Sequence, residues 1–476
     1  MFGSYEETTY LCNMKLRYFF SLIMMTLAIT GTASDYDLQS PFGFCTRSSR
    51  TSTASSSAYN LTGGGCYTYP VTGVESSKVT VLKSTGGDMK SAIEKAIKNY
   101  SVIIFDGSQG DFLISSNVGI TSSNRTLLGI NGARLCTQWH VTPEMTAALD
   151  QATDSRTPGI VGVKNMSTNA DDNLGGTVNG SYIKEQAEYI TRKILFQMIG
   201  NENYRSSGLL TVSGAKNIII RNLKLVGPGS VDVGGSDLLS FVGGANHCWV
   251  DHCDFTDGMD GNFDITQSSD FNTVSWCTFS YTDYSYMHQN TNLIGSSDSE
   301  ATGYLNTTFA FCWWGANCRA RMPMARVGKI HLFNNYFTST TAGNCVNPRK
   351  NSEFLVEGNY FGEGVKYYYG QSSAKAVTWK SNNYVATPGY QDAPESFGTT
   401  VTVPYEYSVA NNSVVPTEVS SNAGATLYKD VTGISGVKAI DHSRLTTDKY
   451  YNLAGQRVDK NARGLVIANG RLVMKR

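Results

Sequence analysis

The sequence predicts an all-β fold, a right-handed parallel β-helix built as a solenoid. Three observations carry that expectation. A stretch of alternating apolar residues followed by Asn or Cys recurs through the middle of the chain. Its shortest spacing is 23 to 24 residues, the length of a coil that holds several short strands. Glycine supplies 47 of 476 residues, enough for many turns without low complexity.

The recurring stretches are IIIRNLKL (218–225), WVDHCDF (249–255), TVSWCTF (273–279), TFAFCWW (308–314), IHLFNNYF (330–337), FLVEGNYF (354–361) and KSNNYV (380–385). Aligning them puts Asn222, Cys253, Cys277, Cys312, Asn335, Asn359 and Asn383 in one column, at spacings of 31, 24, 35, 23, 24 and 24. The longer spacings are insertions, expected as loops on one face. Strands of successive coils lie about 4.8 Å apart, so equivalent side chains stack. An Asn column pairs its amides from coil to coil. Stacked cysteines point the same way, which suits the disulfide torsion poorly. A ladder of buried thiols is therefore expected at Cys253, Cys277 and Cys312. A leucine-rich horseshoe would need regular leucines, and a propeller would need four-stranded repeats.

Other segments are placed around this solenoid. Lys15 and Arg17, the apolar run Tyr18 to Ile29 and the small residues Gly31-Thr32-Ala33 read as a signal peptide over 1–33. The apolar run is too short to span a membrane, so the expected location is secreted: extracellular, or the periplasm or cell surface of a Gram-negative bacterium. Residues 34–77 form an N-terminal extension and 78–426 the β-helix, with a long insertion over 137–206. Apolar positions Ala92, Ile93, Ala96 and Ile97 predict an amphipathic helix over 88–100 that caps the open end. A second helix is expected over 182–199, inside the insertion. Residues 395–425 are expected as an extended segment along the solenoid. Residues 427–476 form a C-terminal module whose end alternates around Asn469-Gly470, a hairpin signal.

Charge excludes some partners. Lys+Arg and Asp+Glu are equal at 39 each, so no global field draws the chain to nucleic acid or an anionic membrane. Specificity for a polyanion must come from a local site. Within DGNFD, Asp260 and Asp264 lie four apart, which puts them on one face of a strand, and Asp237 falls one coil earlier. Read alone, such aspartates also suit turn caps. Converging carboxylates without His or Cys would suit a hard cation such as calcium. R-x-P-x-x-R places Arg321 and Arg326 around Pro323.

Taken together, WVDHCDF (249–255), DGNFDI (260–265), RMPMARVGKIHLFNNYF (321–337), SDLLSF (236–241), NLIGSSD (292–298) and SNRTLLGINGARL (123–135) resemble the pectate lyases of polysaccharide lyase family one. The resemblance covers residues 78–425 apart from the insertion. It implies a polysaccharide lyase that acts on polygalacturonate, a pectic polysaccharide, by β-elimination, with Ca2+ as cofactor and a monomer as the acting unit. It implies that Asp237, Asp260 and Asp264 hold the metal, that Arg321 takes the C5 proton and that Arg326 binds a substrate carboxylate. Guanidinium groups stay protonated over the ordinary pH range, so an arginine base predicts an alkaline optimum.

Two positions depart from the family pattern. Some members have an acid two residues before the first aspartate, where this chain has Gly235. The family's usual Lys three residues before the Leu of L-I-G is Asn290 here. That loss of charge leaves acceptance of methyl-esterified pectin open as an alternative, along with a β-helix that binds glycan without turnover. A hydrolase would need a carboxylate acid and base pair, and its signatures are absent. Trp249, Asp251 and His252, and His331, Asn334 and Asn335, are expected to serve structure rather than catalysis. Trp313 and Trp314 suit either a sugar cleft or the core.

Overall fold

Each coil lays down short strands that pair in parallel with the same strand of the coils before and after. In the computed structural model these strands build one sheet of fifteen strands and one of nine. The model describes residues 40–432 apart from 155–158, 169–179, 201–207, 232–236, 371–372 and 393, together with four short strands between 450 and 475. The expected signal segment and Gly235 lie outside the described residues.

The strands fall on three faces of a solenoid. One face runs through Val118–Ile120, Leu210–Ser213, Leu239–Val242, Phe263–Ile265 and Leu293–Ile294. A second runs through Val102–Asp106, Arg125–Ile130, Lys216–Arg221, Asn246–Asp251, Asp270–Ser275 and Thr307–Ala310. These two faces fuse where Met324–Phe333 and Asn347–Glu357 pass from one to the other, with a shift of register between Ala325 and Val327. The nine-stranded sheet, from Phe112–Ile114 to Tyr384–Val385, is the third face. The expected parallel β-helix is the observed architecture.

Like side chains stack inside it. Rings of Phe255, Phe279, Trp314, Phe337 and Phe361 follow one another at 5.1, 5.3, 4.8 and 4.6 Å between centroids. Offset stacking of this kind adds about 0.5–1.5 kcal/mol per pair beyond burial. Trp314 therefore belongs to the core. At the next corner Asn335 Nδ2 donates to Asn359 Oδ1 at 2.9 Å, and Asn359 Nδ2 to Asn383 Oδ1 at 3.0 Å. In the preceding coils Cys253, Cys277 and Cys312 take the same position as free, buried thiols. Their Sγ atoms reach backbone carbonyls, as Cys277 does to Ser275 O at 3.2 Å. The expected thiol ladder is present.

Asn222 is not part of that column. Strand register pairs Arg221 with Asp251, so Asn222 falls level with His252 and Leu223 with Cys253. Asn222 opens a different column of left-handed residues, with φ of 58° at Asn222, 48° at His252, 51° at Trp276, 55° at Phe311 and 54° at Asn334. Side chains rarely adopt this region, and Asn does so more readily than most. His252, Trp276 and Phe311 stack on one another outside the helix, with centroids 5.8 and 4.4 Å apart.

The capping helix spans Lys90–Asn99 and buries Ile93, Ala96 and Ile97 against the first coils as expected, while Ala92, also expected on that face, is exposed. The insertion holds the expected helix, at Gly180–Ile199, and two further helices at Pro143–Asp150 and Val163–Thr168. Residues 40–77 pack on the second face, where Phe44 N donates to Thr308 Oγ1 and Cys45 N to Thr273 Oγ1, at 3.1 and 3.2 Å. The segment after Tyr390 also packs along the solenoid, but it is not wholly extended. Pro416 at its first turn and the buried Val415 and Val419 make Val415–Asn422 a helix. Near the C-terminus Gly464–Ala468 and Arg471–Lys475 pair antiparallel, as the hairpin signal predicts.

Candidate active site

On the first face, register sets the acids and arginines on successive coils. Ser240 pairs with Asp264, Ile265 with Ile294, and Leu293 with Met324. Counting back along the same register puts Asp237 beside Gly261. An isolated bridge joins Asn290 to Ala320, next to Arg321.

Asp237 Oδ2 accepts from Ser240 Oγ at 3.1 Å, while its Oδ1 is buried and has no hydrogen-bond partner. Asp264 Oδ1 accepts from Leu293 N at 2.9 Å. Gly261 lies between them. A Cβ there would come within 2.6 Å of Asp237 Oδ1 and 3.2 Å of Asp264 Oδ1, so any side chain would fill the space the two carboxylates face. Burial, followed by the charges of Asp264 and Asp260, raises the Asp237 carboxyl well above the ordinary carboxylate range. Burial also pushes Asp264 up to about 7, against the opposing pull of Arg321 and the Leu293 N–H. Like charges held out of water in this way are relieved by a proton or by a cation.

Asp260 reaches this place by a different route from the one its spacing suggests. Only Phe263–Ile265 is strand. Asp260 stands in the glycine-containing bend before it, so turn geometry rather than strand alternation aims its carboxylate. Its Oδ1 lies 3.1 Å from His288 Nε2. Among the described residues no three His, Cys, Asp or Glu side chains are already posed as a metal cage. The donor set is a facing pair, Asp237 and Asp264, with Asp260 beside them and drawn toward His288. The unpartnered Asp237 oxygen, the cradle at Gly261 and the all-oxygen donors fit a hard cation such as calcium.

Arg321 is half-buried two coils on from Asp264, one beyond Asn290, and takes a left-handed φ of 62°. Its carbonyl accepts from Asn292 N at 2.8 Å and from the Thr291 hydroxyl, which fixes the backbone in that conformation. Arg326 lies further along the same coil. Its Nη1 donates to Gly295 O at 2.9 Å and its Nε lies 3.2 Å from Asp298 Oδ1. Burial, then the neighbouring Arg321 and Arg349, lowers the Arg326 guanidinium below its ordinary value.

Three side chains at this face were not singled out from the sequence. His288 lies between Asp260 and Asn290, with its Nε2 3.0 Å from Asn290 Nδ2. Asp298 faces Arg326 and also Lys350 of the following coil, whose Nζ is 3.1 Å from Asp298 Oδ2. The only signal for Asp298 was its place in NLIGSSD. By contrast, Asp251 sits on the second face in a closed network with Arg221 Nε, His252 Nδ1 and Ser275 Oγ, at 2.7, 2.7 and 2.6 Å. Trp249 Nε1 completes it through Ser275 Oγ at 2.8 Å. His331 is likewise enclosed by Tyr405 and Glu357, at 2.7 and 3.0 Å. Both groups serve the packing of the terminal segments.

Residues 149–427 match the family model described as pectate lyase. A probable pectate lyase A from Neosartorya fischeri is 33% identical over 258 residues, covering 52% of this chain and 74% of that protein. A pectate lyase A from Aspergillus niger is 31% identical over 274 residues, covering 55% and 79%. A solved pectate lyase variant from Xanthomonas campestris aligns over 81% of this chain and 98% of its own, at 19% identity and a TM-score of 0.47. The family-model match and the two fungal relatives define a polysaccharide lyase. More narrowly, the chain belongs to the pectate lyase family.

Proposed function

We propose that the protein is a secreted lyase that cleaves α-1,4-linked polygalacturonate by calcium-assisted β-elimination. The observation that carries this reading is the buried, unpartnered Oδ1 of Asp237, facing Asp264 across Gly261 one coil from Asn290 and two from Arg321. Asp237 and Asp264 would hold the calcium ion, with Asp260 as a third ligand once released from His288. When bound, calcium acts as a Lewis acid on a uronate carboxylate and acidifies the adjacent C5–H.

The chain's own residues do the rest. Arg326 binds a carboxylate of the polymer and sets its register along the face. Arg321 accepts the C5 proton. The electrons of that C–H bond form the C4–C5 double bond, the C4–O bond breaks, and the departing oxygen is protonated from water. No covalent bond to the enzyme forms. A protonated guanidinium cannot accept a proton, so the reaction runs best in alkali.

Export is supported by the Lys15 and Arg17 region, the apolar run to Ile29 and Gly31-Thr32-Ala33. Among the described residues no helix is long and apolar enough to cross a membrane. Product analysis tests the chemistry. Oligogalacturonides with unsaturated non-reducing ends are expected; saturated products alone would mean hydrolysis and would overturn the assignment of Arg321.

A further inference from the structure

Two cations from neighbouring coils share one carboxylate beside the proposed base. Asp298 lies on the loop after Leu293–Ile294. Its Oδ1 is 3.2 Å from Arg326 Nε and its Oδ2 is 3.1 Å from Lys350 Nζ. Arg326 belongs to Met324–Phe333 and Lys350 to Asn347–Glu357, the next coil. The bridge is at the surface, with 53% of the Asp298 side chain and 44% of Lys350 exposed.

Glu300, rather than Asp298, secures this loop. Its Oε2 accepts from Ser296 N at 2.7 Å and Ser296 Oγ at 3.0 Å, and its Oε1 accepts from Ser268 N at 3.1 Å. The Asp298 carboxylate is thus presented to the two cations by a loop that does not depend on it for shape. Arg349 stands close by, with a buried Nε that has no hydrogen-bond partner. Arg326, Lys350 and Arg349 share this place with two carboxylates, Glu300 and Asp298, and Asp298 is the one that pairs with the cations.

We propose that Asp298 is a specificity-determining residue, a resident carboxylate that offsets Arg326 and Lys350 and so admits partly methyl-esterified polygalacturonate alongside the fully ionised polymer. The proposal rests on the reading of Arg326 as the group that binds a substrate carboxylate. A methyl-esterified sugar passes the bridge without disturbing it. An ionised sugar either displaces Asp298 from its cations or lies against its charge. Asp298 therefore weakens the binding of the ionised polymer selectively. Selectivity is a difference of two affinities, and a like charge on the enzyme lowers one of them. Asn290 acts in the same direction, because its amide brings no positive charge to the neighbouring coil.

Steady-state kinetics with calcium at low ionic strength test this, on polygalacturonate and on highly esterified pectin, for the natural chain, Asp298→Asn and Asp298→Glu. Asp298→Asn is expected to lower KM for polygalacturonate by about 2- to 5-fold, the range set by an exposed ion pair. The preference for polygalacturonate over pectin, as the ratio of kcat/KM values, rises by the same factor. Asp298→Glu restores the ratio of the natural chain. A ratio that stays the same, or a parallel loss of kcat on both polymers, overturns the proposal and leaves Asp298 as a group that only positions Arg326. Absence of unsaturated product from the natural chain on either polymer would instead overturn the lyase reading beneath it.

Discussion

Two regions of the same coils obey opposite rules. At the corner of Cys253, Cys277, Cys312, Asn335, Asn359 and Asn383, each coil repeats a similar residue, and every polar group finds its partner in the coil above or below. On the face of Asp237, Gly261, Asn290 and Arg321, the residue changes at every coil, and Asp237 Oδ1 is left without a partner. Stacking like on like satisfies a solenoid. Breaking that rule leaves charges and lone pairs directed outward, and those can act on a ligand.

The largest expected effect breaks the changing face. Arg321→Lys should lower kcat by about 10²–10⁴-fold, the usual contribution of a positioned base. Its circular dichroism spectrum and thermal midpoint should match those of the natural chain. The repeating corner should respond the other way. Asn359 is fully buried, donates to Leu332 O and Asn383 Oδ1, both at 3.0 Å, and accepts from Asn335 N at 3.0 Å. Asn359→Leu leaves Asn335 N without its acceptor and Leu332 O without this donor, while Asn383 Oδ1 keeps the Asn359 N–H, at about 1–3 kcal/mol for each group left unsatisfied. Denaturant unfolding should show a loss of about 3 kcal/mol, with calcium affinity unchanged.

A subtler separation comes from the cation site. Asp264→Asn removes one charged ligand, so the calcium concentration for half-maximal activity should rise by about tenfold or more, since ligand charge count tunes affinity over that scale. Titration calorimetry without substrate should show the same weakening. If calcium affinity is unaltered, Asp264 is a turn residue and the pairing across Gly261 has been misassigned.

Much of this was legible in the sequence, and the errors share a cause. The coil length, the capping helix and the thiol ladder follow from periodicity alone. The acids and arginines were found by their motifs. Asn222 was misplaced by one position because an Asn that tolerates a left-handed backbone and an Asn that forms a ladder look the same in one dimension. The four-residue spacing from Asp260 to Asp264 fits a strand, but the strand begins only at Phe263 and Asp260 stands in the bend before it. His288, Asp298 and Lys350 act across coils from loops of unequal length, and no fixed spacing encodes such contacts.

The smallest effect concerns pH and the second face. Burial lowers His247 to about 4 and also lowers His331. Below the ordinary histidine value near 6.5 the unfolded chain takes up these protons before the folded one does. Stability from both groups is therefore complete above about 6.5 and declines as pH falls from there toward 4. Thermal midpoints should drop over that window. His331→Asn should flatten the decline without moving the alkaline optimum of activity, because His331 is enclosed by Tyr405 and Glu357 away from the changing face.

The most direct test of the central claim is the ultraviolet absorbance of polygalacturonate incubated with the purified protein, with calcium and then with excess chelator. The account predicts a steady rise from unsaturated ends in calcium, strongest in alkali, that stops when the chelator is added and resumes when calcium is restored. A rise that continues at the same rate in chelator, or no rise with calcium present, would contradict it.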